Sequence, residues 1–372
     1  MRFCAFVCAF FLTVLPATAF DTIAHTAMVV DQKTGTVLLE KNADQPIPPA
    51  SMSKLMTLNM LFEALQDGRV FLDSMFTVSD RAAAKGGSKM FVREGAAVSV
   101  ENLIRGITVQ SGNDACIVVA EHMAGSEADF ARIMTARAQK LGMTSSTFTN
   151  ATGWPHPNHR MSARDLVFLA NRLITRFPEY YGYFAEQTFT WEGITQKNRN
   201  PILGRVQGAD GLKTGHTQEA GYSLVASASQ GDRRVVLMIA GLESAEARAS
   251  EATRLMNWAF RQFKEVALIG PGTTVARGEV WLGREKTVPL VVKDSVSVLI
   301  PHYARDEVTL NVSYIGPIAA PIIEGTEAGR LHVIIPGLPD QSFPVYAGAS
   351  VDEGGLLQKI RVSAGKIAEL LN

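Results

Sequence analysis

Ser51 and Lys54 form the pattern Ser-x-x-Lys at the start of a strongly apolar stretch of the chain. In a helix, residues three positions apart share a face, so the serine hydroxyl and the lysine amine would lie side by side. Serine becomes a strong nucleophile when a base removes its proton, and lysine acts as that base only when it is neutral. Burial disfavours the charged ammonium and lowers the pKa of a lysine. The pair therefore suits covalent catalysis by an activated serine, and the alternative is a surface helix that carries the pattern by chance.

A second polar pattern, Ser111-Gly112-Asn113, separates two segments that read as helices, residues 99–107 and 115–124. A tight turn of this kind exposes two polar side chains from a rigid base. Ser111 offers a hydroxyl that can pass a proton, and Asn113 offers a donor and an acceptor to a peptide-like substrate. Serine, glycine and asparagine also punctuate helices without any function, and that interpretation stays open on this pattern alone.

A third pattern, Lys-Thr-Gly at residues 213–215, opens a β-rich region in which residues 220–228 and 234–240 read as strands. A strand at a sheet edge can present its backbone to an extended peptide, and a glycine permits close approach of another backbone. The same tripeptide at residues 33–35 joins two short predicted strands as a tight hairpin. The tripeptide is therefore a weak signal alone.

Taken together and in this order, the three patterns resemble those of the low-molecular-mass penicillin-binding proteins, the serine-type D-alanyl-D-alanine carboxypeptidases. The resemblance runs from about residue 27 to residue 355, and it includes residues 86–91, 110–116, 198–200, 210–216 and 351–355. It implies an α+β fold, in which a penicillin-binding, β-lactamase-like domain with a helical cluster and an antiparallel sheet precedes a small all-β domain.

The resemblance implies a catalytic role for four matching residues. Ser51 would attack the carbonyl between the two terminal D-alanines of a peptidoglycan stem pentapeptide, and Lys54 would take the serine proton. Ser111 would bridge Lys54 and Lys213 and pass the proton towards the leaving amine. Asn113 would hydrogen-bond the peptide backbone. Water would then hydrolyse the acyl-enzyme.

The resemblance also implies a binding site for the substrate terminus. Arg199, Thr214 and Lys213 would hold the terminal carboxylate, since a guanidinium suits planar recognition of that group. The backbone N–H groups of Ser51 and His216 would form the oxyanion hole. The implied substrate-binding residues are Asn113, Arg199, Thr214, Gly215 and His216.

β-Lactam antibiotics, which mimic the D-alanyl-D-alanine end, would acylate Ser51 by the same resemblance. One class of β-lactamases activates the deacylating water with a glutamate in the segment corresponding to residues 150–165, and this chain has no glutamate there. We therefore expect penicillin to label Ser51 stoichiometrically. Three alternatives stay open: a D,D-endopeptidase, a weak β-lactamase on the same site, and a catalytically silent peptidoglycan-binding scaffold.

Several elements must position these residues. Residues 51–67 read as a helix that is apolar on nearly all sides, preceded by a proline-rich segment and stopped by Gly68. The small, glycine-rich residues 82–90 read as a loop that either forms a wall of a cleft or is an ordinary surface loop. Residues 246–263 read as the helix that closes the first domain.

The domain prediction has four parts. Residues 1–19 read as a secretory signal peptide, with one positive charge, an apolar stretch and a small-residue cleavage site. Residues 20–265 form the catalytic domain, residues 266–355 the β domain, and residues 356–372 an amphipathic helix. That helix either touches the membrane peripherally or packs on its own domain or a partner. The location would be the periplasm or the outer face of the cytoplasmic membrane.

Composition narrows the function classes. The chain has 36 Lys and Arg against 36 Asp and Glu, a formal net charge of +0, and this balance favours no nucleic-acid partner. We expect no cofactor and no metal site. His156 and His159 lie in a proline-held loop, and no cysteine or acid stands at ligand spacing beside them.

Overall fold

The computed structural model describes residues 20–355. The predicted signal peptide at 1–19 and the predicted amphipathic helix at 356–372 lie outside the described residues. The α-helices within the described range are α1 (Lys54–Gln66), α2 (Asp80–Ala84), α3 (Val100–Thr108), α4 (Asn113–Ala124), α5 (Glu127–Lys140), α6 (Ala163–Arg176), α7 (Pro178–Tyr181) and α8 (Ala245–Gln262). Short 3-10 helices occupy Ala50–Ser53, Gly182–Ala185 and His302–Ala304.

The strands alternate with these helices along the first two thirds of the chain and then follow one another. They are β1 (Thr26–Asp31), β2 (Val37–Lys41), β3 (Met75–Thr77), β4 (Ala97–Ser99), β5 (Thr188–Trp191), β6 (Ile194–Lys197), β7 (Ala209–Thr217), β8 (Gly221–Gln230), β9 (Arg233–Leu242), β10 (Phe263–Ile269), β11 (Thr274–Trp281), β12 (Thr287–Val291), β13 (Val296–Pro301), β14 (Thr309–Tyr314), β15 (Ile318–Ala319), β16 (Glu327–Ile334) and β17 (Gln341–Ala347).

A five-stranded antiparallel sheet in the order β2-β1-β9-β8-β7 is the centre of the first part of the molecule. Successive side chains of a strand point to opposite faces, and β1 separates two cores in this way. Ala27 and Val29 pack in the core that contains α8. Met28 and Val30 pack in the core that contains α1 and α4. The strand β7 is left at one edge of the sheet.

Helix α1 lies almost wholly inside the second of these cores, as its apolar sequence predicts. Its start differs from the prediction. The chain enters through Pro49 and through Ala50, whose φ of +48° is in the left-handed region, and Ala50–Ser53 form a 3-10 helix rather than α-helix. Left-handed backbone costs a non-glycine residue about 1–2 kcal/mol, so tertiary packing must hold this turn in place.

Most other predicted elements of the first part are present with shifted ends. The segment predicted at 99–107 is α3, and the Ser99 hydroxyl caps it by accepting the Asn102 N–H. The segment predicted at 115–124 starts earlier, so that Asn113 is the first residue of α4 instead of a turn residue. The segment predicted to close the domain is α8, and part of the predicted loop at 82–90 belongs to α2.

From Phe263 to Gly355 the chain consists of β-strands and their connections, with one short 3-10 helix at His302–Ala304. A six-stranded sheet in the order β14-β16-β17-β12-β11-β15 accompanies the pair β10-β13 around a separate apolar core. The strand β10 begins directly where α8 ends. The predicted fold class, a helical cluster with an antiparallel sheet followed by an all-β domain, is confirmed. The predicted domain limits at 265 and 355 stay predictions.

No helix within residues 20–355 has the length and apolar character that a membrane crossing requires.

Candidate active site

Ser51 and Lys54 meet at the junction between the 3-10 helix and α1. The Lys54 Nζ donates a hydrogen bond to Ser51 Oγ at 2.8 Å and another to the backbone carbonyl of Thr152 at 2.6 Å. The lysine side chain is completely buried, with 0% of its surface exposed. The amine is thus aimed at the hydroxyl from inside the protein, and bulk water does not reach it.

The electrostatics of this pocket raise the fraction of Lys54 that is neutral. Burial lowers the pKa of Lys54 from 10.5 to about 8, because the charged form loses its hydration. The positive charge of Arg199 lowers the pKa further, while the acidic groups of Cys116 and Asp114 act in the opposite direction. A lysine with this pKa can accept a proton near neutral pH.

The Ser111-Gly112-Asn113 segment joins α3 to α4 beside this pair. Ser111 adopts a left-handed φ of +59° and is 1% exposed. A strained, buried non-glycine residue of this kind is typical of functional sites and is held by its surroundings. The Asn113 side-chain amide donates to the carbonyl of Gly86 at 2.9 Å, and its backbone N–H donates to the carbonyl of Ser88 at 2.7 Å.

The glycine-rich loop that follows α2 is fixed to the start of α4. The buried Asp114 carboxylate accepts hydrogen bonds from the backbone N–H groups of Met90 and Phe91, both at 2.8 Å. Together with the two contacts of Asn113, these bonds make the loop a fixed wall of the cleft. The cleft-wall interpretation of the loop therefore fits the structure better than that of an ordinary surface loop.

Lys213 and Thr214 lie on the edge strand β7. Lys213 is 2% exposed, and its Nζ donates to the carbonyl of Thr214 at 3.3 Å. Burial holds the pKa of Lys213 well below its usual value, and the positive charges of Lys54 and Arg199 lower it further. The charge of Lys54 therefore disfavours the ammonium form of Lys213.

Gly215 brings β7 against the turn that carries Ser51. A Cβ at this position would lie 3.0 Å from the carbonyl oxygen of Pro49, 3.2 Å from Ala50 Cβ and 3.2 Å from Met52 Cγ. These separations are shorter than ordinary van der Waals contacts, so a larger residue would need the strand or the turn to yield by a few tenths of an ångström. Gly215 thus lets the two backbones approach closely.

A cleft of about 440 Å³ opens over these elements, and its walls are Ser51, Ser88, Ser111, Arg199, Thr214, Gly215, His216, Tyr222 and Arg248. Lys54 and Lys213 lie below its floor. Arg199 reaches across the cleft to hydrogen-bond the hydroxyl of Ser88. None of these wall residues is acidic, so the cleft suits an anionic group. Two other cavities within residues 20–355, of about 590 and 880 Å³, are lined by none of the predicted site residues.

Arg248 is a cleft residue that the sequence analysis missed. It lies on α8, is 9% exposed, and its buried Nε has no hydrogen-bond partner. Burial lowers the pKa of this guanidinium. Its Cζ lies 5.6 Å from the ring centroid of Tyr222, and the Tyr222 ring packs at a tilt against His216, with centroids 3.9 Å apart. A buried guanidinium N–H without a partner is costly, and Arg248 also lines the cleft, which makes it a candidate donor to an anionic ligand. No motif surrounds Arg248 in the sequence.

Two further predicted features are His216 and the early Lys-Thr-Gly tripeptide. His216 is exposed and lines the cleft, and the role of its backbone N–H as an oxyanion donor stays a prediction. The early Lys-Thr-Gly belongs to the β1–β2 hairpin, where Lys33 pairs with Asp232 and Glu265 on the molecular surface. Within residues 20–355, no group of three or more His, Cys, Asp or Glu side chains is placed to hold a metal ion.

Comparison with known proteins covers both parts of the chain. The family model described as D-alanyl-D-alanine carboxypeptidase matches residues 13–244, and the model described as penicillin-binding protein 5, C-terminal domain, matches residues 263–353. The D-alanyl-D-alanine carboxypeptidase DacC of Escherichia coli (strain K12) is 36% identical over 345 residues, which are 91% of this chain and 86% of DacC.

Solved structures agree with this similarity. Penicillin-binding protein 5 from Haemophilus influenzae is 31% identical, with a TM-score of 0.78 over 91% of this chain and 100% of that protein. Penicillin-binding protein D2 from Listeria monocytogenes in its ampicillin-bound form is 31% identical, with a TM-score of 0.60 over 65% of this chain and 99% of that protein.

Proposed function

The chain belongs to the D-alanyl-D-alanine carboxypeptidase family, and from that premise we propose that it releases the terminal D-alanine of peptidoglycan stem pentapeptides through an ester on Ser51. The observation that carries this proposal is the buried amine of Lys54, 2.8 Å from Ser51 Oγ and with a pKa of about 8. A catalytically silent scaffold has no need of such an arrangement, because a neutral buried lysine beside a serine serves proton transfer.

Acylation begins with proton transfer from Ser51 to the neutral amine of Lys54. The Ser51 Oγ forms a bond to the carbonyl carbon of the penultimate D-alanine, and the backbone N–H groups of Ser51 and His216 stabilise the oxyanion. The C–N bond then breaks. Ser111 and Lys213 relay this proton from Lys54 to the leaving amine, and D-alanine departs. Water hydrolyses the ester, which regenerates Ser51 and releases the shortened peptide.

The carboxylate of the terminal D-alanine binds at the cationic end of the cleft. Arg199 and Arg248 both line the cleft there, and Thr214 adds a hydroxyl donor. The free Nε of Arg248 gives this end a donor that the protein itself leaves unused. Charge-assisted hydrogen bonds to a carboxylate contribute about 1.5–3 kcal/mol each, enough to select substrates with a free carboxyl terminus.

The peptide backbone of the substrate extends along β7. This strand is at the edge of the sheet, so its outer N–H and C=O groups are available to an added strand. Asn113, the first residue of α4, would bind the peptide from the other side of the cleft. The same geometry accepts a β-lactam, whose amide and carboxylate occupy the same positions and whose ester with Ser51 turns over slowly.

We also propose that the protein is exported and acts outside the cytoplasmic membrane, where peptidoglycan lies. The sequence of residues 356–372 has apolar residues at helical spacing with Lys359, Arg361 and Lys366 beside them, which suits weak contact with an anionic membrane surface. Deletion of residues 356–372 should lower the fraction of protein that sediments with anionic vesicles, while unchanged sedimentation would refute the membrane contact.

The test of the function is release of D-alanine from a D-Ala-D-Ala pentapeptide by the purified protein. We expect Ser51→Ala to abolish release, because the nucleophile is lost. Ser295→Ala, which changes an exposed serine of the all-β part, should leave release unchanged. Sustained release by the Ser51→Ala variant would refute the proposal.

A further inference from the structure

His159 is a buried histidine that contacts the 3-10 helix Ala50–Ser53, which carries Ser51 and is called the catalytic turn below. Its Nε2 lies 2.8 Å from Ser53 Oγ, and the two side chains are 2% and 0% exposed. Ser53 stands between the proposed nucleophile Ser51 and the proposed base Lys54. From the sequence alone, His159 is considered only as a metal ligand. Its hydrogen-bond partner Ser53 lies 106 residues away in the chain.

The hydrogen bonds of His159 define its tautomer. The backbone N–H of Thr149 donates to His159 Nδ1 at 3.3 Å, and a backbone N–H can act only as a donor. Nδ1 therefore carries no proton, and the neutral ring bears its hydrogen on Nε2. That Nε2–H points at Ser53 Oγ and donates to it. The imidazole thus joins the loop backbone at Thr149 to the turn at Ser53.

The ring is also kept neutral by its surroundings. Burial lowers the pKa of His159 to about 4, and the positive charges of His156, Lys54 and Arg160 lower it further. Phe148 is an apolar neighbour of the His159 ring: the two rings meet edge-on, with centroids 5.5 Å apart. A second proton on Nδ1 would remove the acceptor for the Thr149 N–H and add a charge near Lys54.

The segment between Thr149 and His159 supplies other contacts to the same turn. The Thr152 carbonyl accepts from Lys54 Nζ at 2.6 Å, and the Ala151 carbonyl accepts from the Thr57 hydroxyl at 2.7 Å. Gly153 packs so closely that an added Cβ would collide with the carbonyl of Ala50. The loop therefore closes the lysine pocket, and His159 fixes the far end of that loop.

We propose that His159 is a positioning residue for acylation. Through Ser53 it holds the turn that aligns Ser51 Oγ with Lys54 Nζ. It also holds the loop that excludes water from this amine. This inference rests on the proposed role of Ser51. A hydrogen bond behind the reacting groups matters because a displacement of about 1 Å can cost about 100-fold in rate.

The test compares acylation by a fluorescent penicillin in four variants. His159→Leu removes the ring, and Ser53→Ala removes the acceptor with little change in volume. Each should lower the first-order acylation constant about 10- to 100-fold. His159→Gln offers an amide donor to Ser53 and should stay within about threefold of wild type. His156→Leu, an exposed histidine of the same loop, is the matched control and should not change the rate.

The pH profile separates positioning from plain structural support. Loosening the loop lets water reach Lys54, so the midpoint of the acylation profile should move from about 8 towards the ordinary lysine value in His159→Leu. The combined variant His159→Leu/Ser53→Ala should be no slower than the slower single variant, because both remove one interaction.

Loss of thermal stability with an unchanged acylation constant and midpoint in Ser53→Ala and His159→Leu would overturn the inference. If His159→Leu fails to fold, Ser53→Ala alone decides. Wild-type protein that is not labelled at Ser51 would instead refute the proposed function, and labelled wild type with unimpaired variants would refute only the role of His159.

Discussion

At the scale of single residues, the state of charge of Lys54 decides whether the site works. A pKa of about 8 instead of 10.5 raises the neutral fraction of this amine at pH 7 by about 300-fold. The hydrogen bond to Ser51 would be useless without this shift, since a permanently charged ammonium takes no proton. Burial is the main cause of the shift, so the apolar surroundings of α1 are part of the chemistry.

The sequence predicts residues that belong to short patterns and misses residues that act through tertiary contacts. Ser51 and Lys54 are three positions apart, and that spacing alone puts them together. Arg248 reaches the same cleft only because α8 packs across β8, and nothing beside it in the sequence indicates this. The Thr152 carbonyl is a backbone group, which leaves no signature in residue types at all.

Replacing Arg248 tests the proposed carboxylate site. Arg248→Leu should lower kcat/KM for a peptide with a free carboxyl terminus by about 10- to 100-fold, which corresponds to one lost charge-assisted hydrogen bond. Acylation by an uncharged ester substrate should change much less. Arg261→Leu, an exposed arginine on the same helix, is the control. Equal losses for both substrates would contradict the carboxylate role.

At the scale of elements, the site is formed by three segments that lie together: the start of α1, the turn before α4 and the edge strand β7. The sequence predicts each element from its apolar pattern and its turn residues. It does not predict the 3-10 geometry of Ala50–Ser53 or the early start of α4 at Asn113. Those ends depend on contacts with β7 and with the loop fixed by Asp114, which no local pattern encodes.

The contact of β7 with the catalytic turn can be tested at Gly215. Gly215→Ala adds a methyl group within about 3 Å of the Pro49 carbonyl, so the strand or the turn must shift. We expect acylation to fall about 10-fold or more, with a lower melting temperature. Gly182→Ala, where an added Cβ meets no atom within 4 Å, should change neither quantity. Wild-type acylation in Gly215→Ala would show that the close approach is not needed.

At the scale of the whole molecule, the strand β13 joins the catalytic part to the all-β part. Val298 and Ile300 face the core of the all-β sheet, while Leu299 faces the core formed by α8 and the five-stranded sheet. Lys33 also bridges the two parts through its ion pair with Glu265 on β10, but ion pairs at the surface contribute little. Apolar burial at Leu299 is therefore one link between the two parts, and Phe263 of β10 is buried in the same core.

This link can be measured by replacing Leu299. Leu299→Ala should lower the free energy of unfolding by about 2–5 kcal/mol in a urea titration, because a fully buried side chain leaves a cavity. The acylation constant of the folded protein should not change, since Leu299 is not among the residues that line the cleft. Leu310→Ala, at a position 44% exposed, should cost much less. Equal stability of the two variants would contradict the assigned link.

The most direct test of the account is the acylation constant of Ser51 measured against pH between 6 and 10, with the labelled peptide identified by mass spectrometry. The account predicts labelling at Ser51 and a rate that rises with pH, with a midpoint near 8, because only neutral Lys54 accepts the proton. A rate that stays flat through this range, or a label on another residue, would contradict it.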